Sequence, residues 1–176
     1  MTLPECAGDA PSNTVAAVPG SPYVISSQRA FMFPAPAERV WTAISQLDRY
    51  PTWWSWLRDF RVDGAGLERG ALLRGTIVPP LPYRLRLRVV LDECVPARHI
   101  LASVHGDLEG VALVAFEGEG DKTRVIASWT LEMMQQPVRL AARFTHPLLR
   151  WGHDRIVDAT ADGFRRHLDE VRQGEI

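Results

Sequence analysis

The sequence predicts an α+β domain in which an antiparallel sheet packs against a long C-terminal helix. Three observations predict it. YRLRLRVVLDE, from Tyr83, alternates apolar and basic residues with a period of two, as a half-buried strand does. From His99 to Met133 the chain reads as strand separated by short Gly-bearing turns, which implies an antiparallel meander. From Pro137 to Gln173 the apolar residues return to a spacing of 3.6. With 176 residues, 46% of them hydrophobic, the chain is long enough to bury one core.

Residues 1–22 are rich in Pro, Ala, Gly and Ser without periodicity and are expected to form a flexible tail, leaving 23–173 as the folded domain. YVISSQRAFMF, Tyr23 to Phe33, is the first strand. PAPAERVWTAISQLDRY follows as an amphipathic helix opened by prolines, with Val40, Ile44 and Leu47 in one stripe and Trp41 widening it. Tyr50-Pro51 interrupts that helix, and PTWWSWL starts a second, short one at Pro51. Two brief strands are expected near Phe60–Val62 and Leu72–Val78. In the strand from Tyr83 to Leu91, Leu85, Leu87 and Val89 should face the core and Arg84, Arg86 and Arg88 the solvent. Three more strands follow, with turns at Gly106 to Gly110 and at Gly118 to Asp121. The last helix is expected to break near Pro147. Its apolar stripe holds Leu149, Ile156, Val157, Phe164, Leu168 and Val171, with His153 and Thr160 inside it. Asp154, Asp158 and Asp162 fall elsewhere on the wheel, mostly opposite, and His167 lies near the end, where solvent is expected. A strongly twisted sheet can wrap such a helix, and the space between them is either filled or a pocket.

Composition narrows the function. A net charge of -1 argues against nucleic acid as a partner. Two cysteines, Cys6 and Cys94, make no disulfide scaffold and point to a reducing compartment. No stretch approaches the roughly 18 apolar residues of a membrane span, and the N-terminus lacks the basic and apolar regions of a secretory signal, so the cytoplasm is expected. There is no HExxH, CxxC pair, GxSxG, P-loop or GxGxxG after a strand. No metal and no cofactor is therefore expected.

The residues that can carry chemistry each have a plain structural reading beside the functional one. Trp53, Trp54 and Trp56 either form an aromatic wall at a pocket mouth or anchor the short helix. His153 is either a core histidine with a hydrogen-bond partner or a polar anchor or acid/base group in a cavity. The Thr160 hydroxyl either meets a ligand or bonds the carbonyl one turn earlier. His105 and Asp107 are an acid/base pair or hairpin chemistry, with Asp107 bonding the turn. The Arg84–Arg86–Arg88 row is a nucleic-acid or phosphate surface or a solvated outer face.

PAPAERVWTAISQLDRYPTWW, GDLEGVALVAF, GDKTRVIASWTLE and HPLLRWGHDRIVDATADGFRRHL, in that order and spacing, resemble the START-like superfamily (SRPBCC, helix-grip), and within it the polyketide cyclase/dehydrase and lipid-transport group. The resemblance runs from Tyr23 to Leu168. It implies a helix-grip fold: a curved antiparallel sheet wrapped around a long C-terminal helix, with two short helices after the first strand. It also implies a cavity between sheet and helix for a small hydrophobic molecule, lipid- or polyketide-like. The alternative is a cofactor-independent aromatase/cyclase or dehydratase acting in the same cavity. The lining expected on this basis is Trp53, Trp54, Leu85, Leu87, Val89, Val114, Phe116, Trp129, Leu149, His153 and Ile156. The superfamily carries no universal catalytic motif, and no catalytic residue is assigned.

Overall fold

The computed structural model describes residues 23–174, and within the last helix the side chains of residues 151–170. The N-terminal tail, with Cys6, and the side chains of Leu149 and Val171 lie outside the described residues. The elements are β1 (Val24–Phe33), α1 (Ala37–Ile44), a 3-10 turn (Leu47–Arg49), α2 (Tyr50–Trp53), β2 (Leu57–Asp63), β3 (Leu72–Ile77), β4 (Leu85–Val95), β5 (His99–Gly106), β6 (Leu108–Glu119), β7 (Lys122–Met133) and α3 (Gln136–Gly174).

All seven strands form one sheet in the order β1-β7-β6-β5-β4-β3-β2, every neighbouring pair antiparallel. β1 and β2 are the two edges, and α1 and α2 carry the chain from one to the other. Curvature comes from local irregularities. The register shifts between Arg58 and Arg61 in β2 and between Leu91 and Glu93 in β4, and such bulges bend a strand and increase its twist. Gly110 in β6 (φ 151°) sits where a Cβ would overlap the Thr130 carbonyl of β7, so only glycine fits there.

The period of two sorts the sheet into an inner face toward α3 and an outer one. Leu85, Leu87, Val89 and Leu91 of β4 point inward, and Arg84, Arg86 and Arg88 are exposed on the other side, as the alternation requires. α1 presents Val40 and Ala43 to the core, and Trp41 meets Phe116 edge-on at 5.6 Å between ring centroids. Glu38 in its first turn suits the positive end of the helix dipole. The sequence pattern carries this helix on to Leu47, but it ends at Ile44. The Ser45 hydroxyl bonds the Trp41 carbonyl at 2.8 Å, and Gln46 leaves the helical region (φ -79°, ψ 68°). Leu47 still reaches the core, from the 3-10 turn. α2 has Pro51 in its first turn, as expected, but is only four residues long, and Leu57 already begins β2.

Three further expectations need correction. The turn between β5 and β6 is tighter than Gly106 to Gly110, because β6 begins at Leu108; Asp107 does not bond the turn's own backbone but ties it to β4 by accepting the Arg86 N–H at 2.7 Å, while Glu109 accepts the Gly106 N–H at 2.9 Å. α3 does not break near Pro147 but runs helical from Gln136 to Gly174. A proline removes one N–H and crowds one carbonyl, and in a 39-residue helix that loss stays local because the ladder continues on both sides. His167 is not in solvent. It is 7% exposed and stacked on Trp53, ring centroids 4.3 Å apart, because α2 folds back over the end of α3.

His167 sets a testable pH dependence. Burial lowers its pKa below the usual 6.5, the nearby Glu170 carboxylate opposes that, and Arg49 adds to it. Its Nε2 has no hydrogen-bond partner among the described residues. A base whose folded pKa is depressed binds its proton more readily when unfolded, so its contribution to stability is present above the unfolded pKa and is lost as pH falls through the folded one. The thermal midpoint is expected to fall as pH goes from 7 to 5. His167→Phe, which keeps the ring on Trp53, should flatten that slope. An unchanged slope in the variant would assign it to other groups.

Candidate functional site

The inner face of the sheet is buried at both ends and, along β5, throughout (Ile100, Ala102 and Val104), whereas on β4, β6 and β7 the stretch between the ends is half-buried. At one end Phe33, Leu91, Phe116 and Val125 join Trp53, Phe164 and Leu168 in the main core. At the other, Leu85, Val104, Leu108 and Met133 form a separate cluster. Between the two lie Leu87 and Val89 of β4, Ala112 and Val114 of β6, and Ala127 and Trp129 of β7, all half-buried. Ala112 pairs with Trp129 and Val114 with Ala127 across the β6–β7 ladder. A small residue thus stands opposite a larger one at each pair, whereas Phe116 and Val125 close one end and Leu108 and Met133 the other. These residues form a half-buried apolar strip, the trough, on the face of the sheet turned to α3.

A chain of polar side chains crosses from the sheet to α3 beside the trough. The Trp129 indole N–H donates to His153 Nε2 at 3.1 Å. His153 Nδ1 lies 3.2 Å from Asp154 Oδ1, and the Arg29 guanidinium of β1 donates to the same carboxylate oxygen at 2.7 Å. With Nε2 accepting from Trp129, the neutral ring carries its hydrogen on Nδ1, which donates to Asp154. The partial burial of Asp154 pushes its pKa up, but hydrogen bonds from His153 and Arg29 outweigh it, so the carboxyl is held below the ordinary aspartate range. The chain therefore presents an ionised carboxylate, a bonded imidazole and an indole at the edge of an apolar surface. Among the described residues, no group of three or more His, Cys, Asp or Glu side chains is arranged to hold a metal ion.

The structure brings Leu85, Leu87, Val89, Val114, Phe116 and Trp129 onto one concave face, with Phe116 and Leu85 at its two closed ends. His153 stands beside it, and Ile156, one turn later, is half-buried. Leu149 lies outside the described side chains. Trp53 and Trp54 are not with the others; they clamp the C-terminal half of α3. Trp53 is 9% exposed and stacks on His167, and Trp54 Nε1 donates to the Thr160 carbonyl at 3.0 Å. The Thr160 hydroxyl bonds back to the Ile156 carbonyl at 2.7 Å. His105 does not pair with Asp107 but with Glu109, at 2.9 Å on the outer face.

Arg29 and Asp154 were not among the expected site residues. Arg29 shares the period-two face of Phe31 and Phe33, so the alternation already pointed it inward. Asp154, expected mostly on the opposite side of α3, turns to the sheet because Arg29 is there to meet it. Ala112 and Ala127 had a weaker signal, small residues inside strands whose neighbours are large.

Among solved structures the chain is similar to the protein TTHA0849 of Thermus thermophilus, at 17% identity and a TM-score of 0.68, over 84% of this chain and 99% of that one. A START superfamily protein from Mycobacterium smegmatis is similar at 12% identity and 0.65, over 83% and 98%. The Zhui aromatase/cyclase from Streptomyces sp. R1128 is similar at 13% identity and 0.64, over 83% and 94%. At these identities the likeness is one of fold, the helix grip. No curated protein sequence matches the chain. The family described as polyketide cyclase / dehydrase and lipid transport matches residues 25–169, most of the chain and every strand of the sheet but its first residue, and the chain belongs to that family.

Proposed function

We propose that the protein binds or carries a small hydrophobic molecule, lipid- or polyketide-like, in the trough between the sheet and α3. The observation that carries this reading is the split core: two buried clusters with a half-buried apolar surface between them. A core built only for stability would close over Leu87, Val89 and Val114, since each is a Val or Leu whose full burial is worth about 1.5–3 kcal/mol. A ligand covering them gains part of that, less the cost of association. Trp129, held by His153, supplies a flat wall, and the Arg29–Asp154–His153 chain supplies the few polar groups that orient a largely apolar ligand. Scarce cysteine supports a cytoplasmic setting.

The second reading is an aromatase/cyclase or dehydratase in the same trough. The His153–Asp154 pair favours it, being of the type that moves protons. Trp129 stands against it, because its N–H occupies the nitrogen that would take the proton. The binding reading therefore leads.

Native mass spectrometry of the purified full chain tests the proposal, with a bound apolar compound as the expected result. Nile red titration of the wild type and of His153→Ala adds to it. The variant leaves the Trp129 N–H without its acceptor and frees the indole. A loss of about 1–3 kcal/mol of stability and about one decade in probe affinity is expected. Unchanged affinity with the same stability loss would assign His153 to joining sheet and helix only. Conversion of a poly-β-ketone by the wild type, lost in the variant, would favour the catalytic reading.

A further inference from the structure

We propose that the outer face of the sheet carries a second site, across β2, β3 and β4, which binds a phosphate group. It lies on the side of the sheet away from the trough and does not depend on what the trough holds. The register is the first observation. Arg61 of β2 is directly opposite Arg74 of β3, and Arg74 is directly opposite Arg88 of β4. Three guanidinium-bearing residues thus stand in one row across three adjacent strands, spanning about 10 Å at the strand spacing of a sheet. Arg86, opposite Thr76, begins a second row beside it. Like charges placed directly across a ladder repel and destabilise the pairing.

The second observation is shape. The row lies in a shallow, open hollow of about 430 Å³ lined by Arg61, Arg74, Arg86 and Arg88 together with Asp59 and Asp107. The strand that forms its rim is bulged at Asp59, which takes a left-handed conformation (φ 52°) unusual for a residue other than glycine. Bulges of this kind re-aim neighbouring side chains and recur beside binding sites.

The acids around the hollow keep their charge, but among the described residues none of them pairs directly with the guanidinium of Arg61, Arg86 or Arg88. Asp107 accepts the Arg86 backbone N–H at 2.7 Å, and Asp59 accepts the Thr76 hydroxyl at 3.2 Å. Glu109 feels the charge of Arg88, but its oxygens are taken up by His105 and the Gly106 N–H. Arg74 reaches Asp63 at 2.9 Å from the rim. Arg61, Arg86 and Arg88 hold no side-chain ion pair among the described residues. Arginine forks donate in pairs to planar or tetrahedral oxyanions. A phosphate, with more oxygens and more charge than a carboxylate, engages several forks of the row at once. That phosphate can belong to a soluble ester or to a phospholipid headgroup, and the chemistry of the row is the same for both.

The test uses the full chain and inorganic pyrophosphate, by calorimetric titration and by thermal melting against sodium chloride of matched ionic strength. Chloride relieves the repulsion by screening alone, so a larger rise in midpoint with pyrophosphate is the expected sign of a site. Arg74→Gln/Arg88→Gln should lose that extra rise and weaken pyrophosphate binding at least tenfold. Should the double variant fold poorly, Arg88→Gln alone carries the same comparison. Vesicles of phosphatidylcholine with and without phosphatidylglycerol distinguish the sources. Co-sedimentation with the anionic vesicles only, lost in the variant, assigns the headgroup; pyrophosphate binding without co-sedimentation assigns a soluble ester. Equal responses to chloride and pyrophosphate with no vesicle binding would overturn the proposal. So would binding that the variants leave unchanged.

Discussion

Replacing Gly163 with alanine is expected to destabilise the protein by about 2–3 kcal/mol, although glycine to alanine in a helix interior ordinarily gains about 1 kcal/mol. Gly163 lies on α3 where α2 crosses it. A Cβ there would overlap the Trp53 carbonyl oxygen and press on Trp54 Cδ1 at 3.2 Å. The obstacle is backbone, so it cannot swing aside. Two anchors would be pushed off together: the Trp54 N–H to the Thr160 carbonyl, and the stack of Trp53 on His167. Gly152 is the control. A Cβ there meets Leu81 Cδ1 at 2.6 Å, the far end of a flexible side chain, so Gly152→Ala should cost far less. For a domain of this size the Gly163 variant should melt roughly 5–10 °C lower. A midpoint equal to that of the Gly152 variant would show that α2 does not need this close approach.

Filling the trough should separate binding from folding. Ala112→Leu/Ala127→Leu places two larger side chains on the half-buried middle of β6 and β7, beside Trp129 and Val114. If that surface is kept open for a ligand, the double variant should lose Nile red affinity by at least tenfold and hold or raise its thermal midpoint, because the new methyls bury apolar area at about 25 cal/mol per Å². If the space is already filled by α3, the same change overpacks it and costs about 1–3 kcal/mol at each position. A fall in stability with unchanged probe binding would therefore reject the trough as the binding surface. The Gly163 variant changes stability without altering the trough's lining, so melting and probe titration on both variants keep the two effects apart.

The expected meander from Tyr83 to Met133, the inward face of Leu85, Leu87 and Val89 and the outward arginines all hold, because strand alternation is a local property with a period of two. Pro51 marks the start of α2 for a similar reason, since its missing N–H costs nothing in a first turn. The resemblance to the family was legible in the order of these patterns, and the family match over residues 25–169 bears it out. The candidate site was legible only by halves. The apolar lining follows from alternation, whereas the Arg29–Asp154–His153–Trp129 chain joins residues from β1, β7 and α3 whose meeting depends on how the sheet curls.

Neighbouring residues therefore fix which face of each strand and helix is apolar. Which polar residues meet across that interior was decided by the tertiary structure alone. Asp154 turned to the sheet because Arg29 stood opposite, and His167 was buried because Trp53 folded over it. The row Arg61–Arg74–Arg88 arises only from the register of three strands. A hydrogen bond or a charge repulsion acts between groups within a few ångströms, and sequence separations of up to 125 residues, as for Arg29 and Asp154, say nothing of that distance until the chain has folded.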